Sequence, residues 1–441
     1  MKRLLSLLLC AVLALFCATT AQAAGVSITL TASEYALHYA FDAGAQDPFV
    51  ILEYTTPAEK GWMMLYSADG RFEGDIALAY SGAGGKTSVA LTSARTTGSI
   101  GKASTTLPKA ADYQKPTGKS NAKVTDFVLT ETPEGFHYAF NAAGTDYMLL
   151  YWRSKEQTVT QPVYPDENGH YEGDVVSELT FARTQFTVQV KSGSGSMKKE
   201  ATVRKGYQAP EAPQRQEGRL SGVTVCIDAG HQENGRFVNE PIGPGLSGST
   251  SGKGGMAQGT KTNRRESIVC LEIGMLLRDE LLRQGANVIM TREDQMTFHT
   301  NIERCEIAEA GGAQIMLRLH CNNSSNHSKR GIQVYGPLNS DYAKAVADAD
   351  TYREMGQKLL DAMKTRVGMT LANSTGMVRL NDNYVGNNWA KMMCFLVEMG
   401  YLSNPAEEYL LVTPVYQQWL AEGMADGVYE IAVARGWVQA Q

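Results

Sequence analysis

Four short segments, far apart in the chain, place a residue able to bind or serve a metal at the end of an apolar run or the start of one. They are Val225-Cys226-Ile227-Asp228-Ala229-Gly230-His231, Arg265-Glu266-Ser267, Leu317-Arg318-Leu319-His320-Cys321-Asn322 and Phe395-Leu396-Val397-Glu398-Met399-Gly400. Two histidines and a carboxylate make the three-ligand set that catalytic zinc uses, with one coordination position left for water. A second glutamate is then left over to act as a base.

The elements around these segments explain how they can meet. Apolar spacing predicts strands at 223–227, 287–291, 314–319 and 393–397, and helices at 267–283, 301–310, 342–366 and 415–435. This alternation implies a three-layer α/β/α catalytic domain with a largely parallel sheet, beginning near Gly218 and running over 218–441. In open sheets of that kind ligands bind beyond the carboxyl ends of the strands. His231, His320 and Glu398 each stand at such an end, and Glu266 opens a helix where its carboxylate can complete the set.

The first half of the chain is built on another plan. His38-Tyr39-Ala40-Phe41-Asp42-Ala43 recurs as His137-Tyr138-Ala139-Phe140-Asn141-Ala142, and Gly70-Arg71-Phe72-Glu73-Gly74-Asp75 as Gly169-His170-Tyr171-Glu172-Gly173-Asp174, both 99 residues further on. Short alternating strands separated by Gly, Asp, Asn and Pro turns suit two duplicated all-β, immunoglobulin-like modules at 24–105 and 123–206. The recurring aromatics Tyr39, Tyr138, Phe72 and Tyr171 serve either a cell-wall glycan or protein surface or simply the core, and His38 and His137 read as structural. Polar, Pro-containing stretches at 105–122 and 208–217 are the expected linkers.

Lys2 and Arg3, the apolar run 4–16 and Ala21-Gln22-Ala23 form a secretory signal peptide at 1–23, which predicts a secreted protein of the cell wall or extracellular space with no stable membrane span. A net charge of −5 argues against nucleic acid as a partner. Five cysteines, all in the C-terminal half, follow the leader; an odd number in apolar patterns reads as small buried hydrophobes rather than a disulfide framework.

The order Asp-Ala-Gly-His, Arg-Glu opening a helix, Thr-Arg after a strand, Leu-His-Cys-Asn and Val-Glu-Met-Gly-Tyr-Leu-Ser-Asn resembles the zinc-dependent N-acetylmuramoyl-L-alanine amidases of type 3, from about Val223 to Trp437. The resemblance implies Zn2+ held by His231, Glu266 and His320, Glu398 as the catalytic carboxylate, and peptidoglycan as substrate. The implied reaction cleaves the amide between the lactyl group of N-acetylmuramic acid and L-alanine. Four further residues are candidates for substrate contact or support. Asn322 orients substrate or is a plain loop residue. Asp228 orients His231 or caps the loop. Arg292 and Arg304, which match arginines of the family, make buried ion pairs or substrate contacts.

The chain departs from the family's commonest pattern in two places. Gln232 stands where a second glycine usually follows the histidine, and Glu266 comes 35 residues after His231. The insertion 233–264, rich in Gly, Ser and Thr, is either a loop over the cleft or surface decoration. Its Gly252-Lys253 pair lacks the flanking residues of a phosphate loop. His299 and His327 read as surface residues. Two other functions fit parts of the pattern: a zinc peptidase cutting the stem peptides, and a non-catalytic wall-binding protein in which the repeats do the work.

Overall fold

The duplication carries through to side-chain contacts in the computed structural model, which describes residues 19–21, 25–78, 80–111, 113, 120–132, 135–145, 147–154, 157–176, 185–192, 195–204, 210–232, 238–250, 255–262, 264–368 and 377–440. The ring of Phe41 stacks on Phe72 at 4.8 Å, and Phe140 on Tyr171 at 4.6 Å. The hydroxyl of Tyr39 lies over Gly74 and that of Tyr138 over Gly173, where an added Cβ would sit 2.7 and 2.8 Å from the phenol oxygen. Only glycine admits that approach. His38 pairs with Asp75 at 3.0 Å and His137 with Asp174 at 2.9 Å, so both histidines are engaged within their own repeats. All four recurring aromatics are buried. The core use of these rings therefore prevails over surface recognition, each burial contributing roughly 1.5–3 kcal/mol.

The chain divides into two compact units, Met1–Gly206 and Tyr207–Gln441. In the first, a four-stranded sheet orders Thr19–Ala21, Ile28–Ala32, Ala36–Asp42 and Arg71–Ala77, and a three-stranded one orders His170–Val176, Gly135–Thr145 and Ser120–Thr132. The remaining strands belong to one eight-stranded sheet: Met197–Arg204, Gln185–Lys191, Met148–Arg153, Gln157–Val163, Glu59–Tyr66, Phe49–Thr55, Gly85–Ser93 and Ser99–Leu107. Two self-contained modules were expected. Instead the repeats share this sheet, because Gln157–Val163 pairs with Glu59–Tyr66 (Gln157↔Gly61, Val159↔Glu59). Pairing of exposed edges removes unpaired backbone groups from both repeats. The leader 1–23 lies outside the described residues except for 19–21.

The second unit carries strands β1 (Thr224–Ala229), β2 (Asn287–Met290), β3 (Ile315–Asn322), β4 (Gln333–Gly336), β5 (Met377–Leu380) and β6 (Met393–Tyr401) in the spatial order β2-β1-β3-β6-β4-β5. The pairs β1/β2, β1/β3, β3/β6 and β4/β5 are parallel; β4/β6 is antiparallel. Helices α1 (Glu266–Arg283) and α4 (Ala349–Val367) each pack on α7 (Pro414–Ala434), while α2 (Asn301–Ala310) and α3 (Asp341–Val346) pack on α5 (Val385–Trp389); α6 (Pro405–Leu411) follows β6.

The single helix expected over 342–366 is broken. Ala347 is extended, and Asp348 takes the N-cap of α4 by accepting from Thr351 N–H at 2.7 Å, a cap that outcompetes continuation of α3. Part of the stretch expected as a linker lies against α1: Arg278 donates to Pro210 O at 2.9 Å and Gln216 N–H to Leu282 O at 3.0 Å. All five cysteines of this unit are free and buried. Among the described residues no helix is long and apolar enough to cross a membrane.

Candidate metal centre

Parallel strands in register bring their carboxyl ends to one edge, and this positions two of the four residues directly. His320 is the cross-strand partner of Glu398 on β3 and β6, while His231 follows β1, which is paired to β3 through Ala229↔Leu319. The turn after β1 is pinned by Gly230 N–H donating to Leu319 O at 2.9 Å. A Cβ on Gly230 would lie 2.4 Å from that oxygen and 2.6 Å from the His320 ring, so glycine is what lets the two histidine segments approach. His231 itself has φ +58°, a left-handed conformation that costs a non-glycine residue energy and marks functional loops.

Two buried arginines hold that turn. Arg292 donates from Nε to Ala229 O at 2.8 Å and from Nη2 to Gly230 O at 2.9 Å and Ser267 O at 2.7 Å, joining the His231 loop to the start of α1. Arg304 donates to Ala229 O at 2.9 Å, to His231 O at 3.1 Å and to the side chain of Gln232. Both are buried and spend these donors on the loop. Burial drives the Arg292 guanidinium down to about 10, still cationic at neutral pH.

Glu266, the first residue of α1, faces both histidines. Its Oε1 accepts from His320 Nδ1 at 2.9 Å and Cys321 N–H at 3.0 Å; its Oε2 accepts from Ala257 N–H at 2.7 Å and lies 3.1 Å from His231 Nε2. Burial opposes ionisation here, but the hydrogen bonds from His231 and His320 outweigh it and hold the carboxyl well below the usual range. Burial lowers His320 and keeps it neutral. The two rings stand edge-on, 4.9 Å apart, and ligand atoms of all three residues lie within 4.8 Å of one another. An ionised carboxylate with neutral imidazole is the protonation state a divalent ion requires.

Glu398 completes the arrangement without sharing its bonds. Its Oε2 is buried and has no hydrogen-bond partner. Burial, reinforced by the charge of Glu266, pushes its carboxyl well above the ordinary glutamate range. An orphaned buried oxygen beside three convergent donors fits a metal centre with an adjacent acid–base group.

Asp228 does not turn to His231. It is fully buried and spends its carboxylate on Arg304, on Arg318 Nε at 2.9 Å and on Thr291 Oγ1 at 2.8 Å, and the two arginines drive its pKa far down against the cost of burial. Its reach to the centre is indirect, through Arg304. Asn322 donates to Gln333 Oε1 at 3.0 Å and its own side-chain oxygen accepts from Asn323 N–H. His299 offers only its carbonyl, to Arg304, and His327 Nδ1 pairs with Ser403 O at 2.7 Å. Arg318 was missed in the sequence, although a charge inside the apolar run of β3 is itself a signal of a buried pair.

The insertion after His231 is anchored where it is described. Glu240 accepts from Asn301 and Ile302 N–H, and Glu408 accepts from Thr260, Lys261 and Thr262. Ala257 holds both the backbone and a carboxylate oxygen of Glu266, so the loop builds part of the centre rather than decorating it. Gly252-Lys253 lies outside the described residues.

Residues 225–430 match the model of a family described as N-acetylmuramoyl-L-alanine amidase. The chain is similar to the germination-specific N-acetylmuramoyl-L-alanine amidase of Bacillus subtilis, 26% identical over 231 residues, 49% of this chain and 83% of that protein. It is also similar to the probable cell wall amidase LytH of Staphylococcus aureus, 26% identical over 218 residues, 48% of this chain and 60% of that protein. Among solved structures, the N-acetylmuramoyl-L-alanine amidase from Clostridium difficile 630 aligns at 25% identity with a TM-score of 0.38, covering 48% of this chain and 96% of that one. The family match contains His231, Glu266, His320 and Glu398 and leaves out the duplicated strands. The C-terminal half of this chain therefore belongs to the N-acetylmuramoyl-L-alanine amidase family, a family of hydrolases.

Proposed function

We propose that the chain is an exported zinc hydrolase that cleaves the amide between the lactyl group of N-acetylmuramic acid and L-alanine in peptidoglycan. The observation that carries this reading is the convergence of His231, Glu266 and His320 beside the buried, unpartnered Oε2 of Glu398. The three would hold the ion, and zinc held there would supply a bound water of pKa about 7 and Lewis acidity toward the scissile carbonyl. Glu398 takes a proton from the attacking water and returns it to the leaving amine, a task suited to a carboxyl whose affinity for protons burial has raised. Arg292 and Arg304 keep His231 in its left-handed conformation, and the backbone amides of Ala257 and Cys321 keep Glu266 aimed at both imidazoles.

We read the surrounding unit as a three-layer α/β/α domain and the duplicated strands as immunoglobulin-like repeats. With the recurring aromatics used up in the core, a wall glycan or protein partner would meet the outer faces of the repeats. A chain exported by the leader read at 1–23 would meet its substrate outside the membrane. Mass spectrometry of purified peptidoglycan digests tests the assignment: new L-alanine amino termini on released peptides, lost on chelation and restored by zinc, are expected. Cuts within the stem peptide, or undiminished release by metal-free protein, would rule it out.

A further inference from the structure

Glu266 owes one of its bonds to the insertion. Its Oε1 is held by His320 and by the Cys321 amide of β3, while its Oε2 takes a backbone donor from Ala257 N–H at 2.7 Å and faces His231. Ala257 and Glu266 form the foot of a short antiparallel ladder between 257–259 and 264–266. Glu266 N–H donates to Ala257 O at 2.9 Å, Gln258 bridges Arg265, and Gly259 N–H donates to Arg264 O at 2.9 Å. The returning arm is secured to α1, where the buried Arg264 pairs with Glu272. The outgoing arm, which carries Ala257, is closed against it by these rungs and by the grip on the tip.

That grip is Glu408 of α6, which is fully buried. Its carboxylate accepts from Thr260 Oγ1 at 3.0 Å, from Lys261 N–H at 2.8 Å, and from both the amide and the hydroxyl of Thr262 at 3.4 Å. Bonds to an ionised carboxylate are stronger than those between neutral groups, and a buried charge persists only with such partners. The earlier part of the insertion has a clamp of its own: Glu240, also buried, accepts from Asn301 Nδ2 at 2.7 Å and Ile302 N–H at 2.8 Å at the start of α2. Two buried glutamates thus pin the described parts of the insertion, and of the two it is Glu408 that holds the ladder ending on Glu266.

We infer that Glu408 is a positioning residue for the metal: by fixing residues 260–262 it keeps the Ala257 amide on Glu266 Oε2, and so sets how tightly His231, Glu266 and His320 bind zinc. The inference rests on reading those three residues as the zinc ligands. A ligating carboxylate whose outer oxygen loses its donor turns more freely, and the ordering that zinc must then impose weakens its binding.

The test measures zinc dissociation constants of the full chain by competition with a chromogenic chelator, a readout that needs no turnover. E408Q should bind zinc roughly 10- to 100-fold more weakly than the unaltered chain. T260V/T262V, which removes two donors and leaves the carboxylate in place, should weaken binding in the same direction by a smaller factor, and E240Q should leave the constant unchanged. A257P removes the amide itself, so adding E408Q to it should cost little more. Circular dichroism at the assay temperature shows which variants are folded. Undiminished affinity in E408Q or, where that variant does not fold, in T260V/T262V overturns the inference. So does an equal loss in E240Q, the mark of a general loosening, and so do additive losses in A257P/E408Q. An unaltered chain that takes up no zinc overturns the metal reading and the inference with it, whereas zinc held equally by every variant removes the role of Glu408 alone.

Discussion

Glu59 in the N-terminal unit and Glu398 in the C-terminal unit are both carboxylates raised by burial, yet their surroundings are opposite. Glu59 sits where the repeats join and accepts from Tyr80 N–H at 3.0 Å, Ser81 Oγ at 2.8 Å and Gln157 Nε2 at 3.2 Å. Glu398 has a buried oxygen with no partner. A satisfied buried carboxylate ties strands together; an unsatisfied one is retained only where something else, substrate or water, completes it. The same contrast holds across the units at large. The repeats rest on stacked rings and aliphatic strands, while the catalytic unit buries Asp228, Glu266, Arg292, Arg304 and Arg318 around one loop.

The comparison breaks most sharply at those two glutamates. Glu398→Gln should lower kcat by about 10²- to 10⁴-fold with the fold intact by circular dichroism, whereas Glu59→Gln should leave kcat unchanged; comparable losses in both would erase the distinction. Asp228→Ala should cost the catalytic unit about 3–5 kcal/mol by leaving Arg304 and Arg318 buried without their counter-charge, read as a fall in its denaturant midpoint.

A smaller effect comes from Glu407, which burial pushes up to about 7. A carboxyl raised on folding stabilises fully below its unfolded pKa, near 4.5, and that contribution is lost as pH climbs through about 7. It amounts to about 3 kcal/mol. The stability of the unaltered chain relative to Glu407→Gln should therefore decline from pH 4.5 to 8, and a flat difference would show that Glu407 is not held in this way. The smallest expected effect sharpens the duplication: Phe72→Leu and Tyr171→Leu each lose one stacked pair, about 1 kcal/mol beyond the area change. The two should lower the melting temperature of the N-terminal unit by similar amounts.

Much of the catalytic unit was legible because apolar runs announce strands whose ends then carry the chemistry. The helix predicted over 301–310 is α2 itself, and the strand signal at 314–319 became β3. Strands β4 and β5 escaped, being four residues each and too short for a periodic signal. With them went the antiparallel pairing of β4 with β6 at Glu398. Residues 105–122 read as a linker for a similar reason: composition marks a polar stretch but cannot show that strand Ser99–Leu107 runs into it.

The candidate metal ligands His231, Glu266 and His320, and Glu398 with them, were legible as local information, since each stands beside an apolar run that must be buried and so carries the residue to an element's end. The duplication was likewise written in the repeated letters. Tertiary structure alone decided that Asp228 answers to two arginines instead of His231, that the repeats share one sheet, and that the insertion supplies Ala257 to Glu266. These are pairings between groups up to about a hundred residues apart, and no periodicity records which partner a buried charge or an open strand edge will find once the chain has closed.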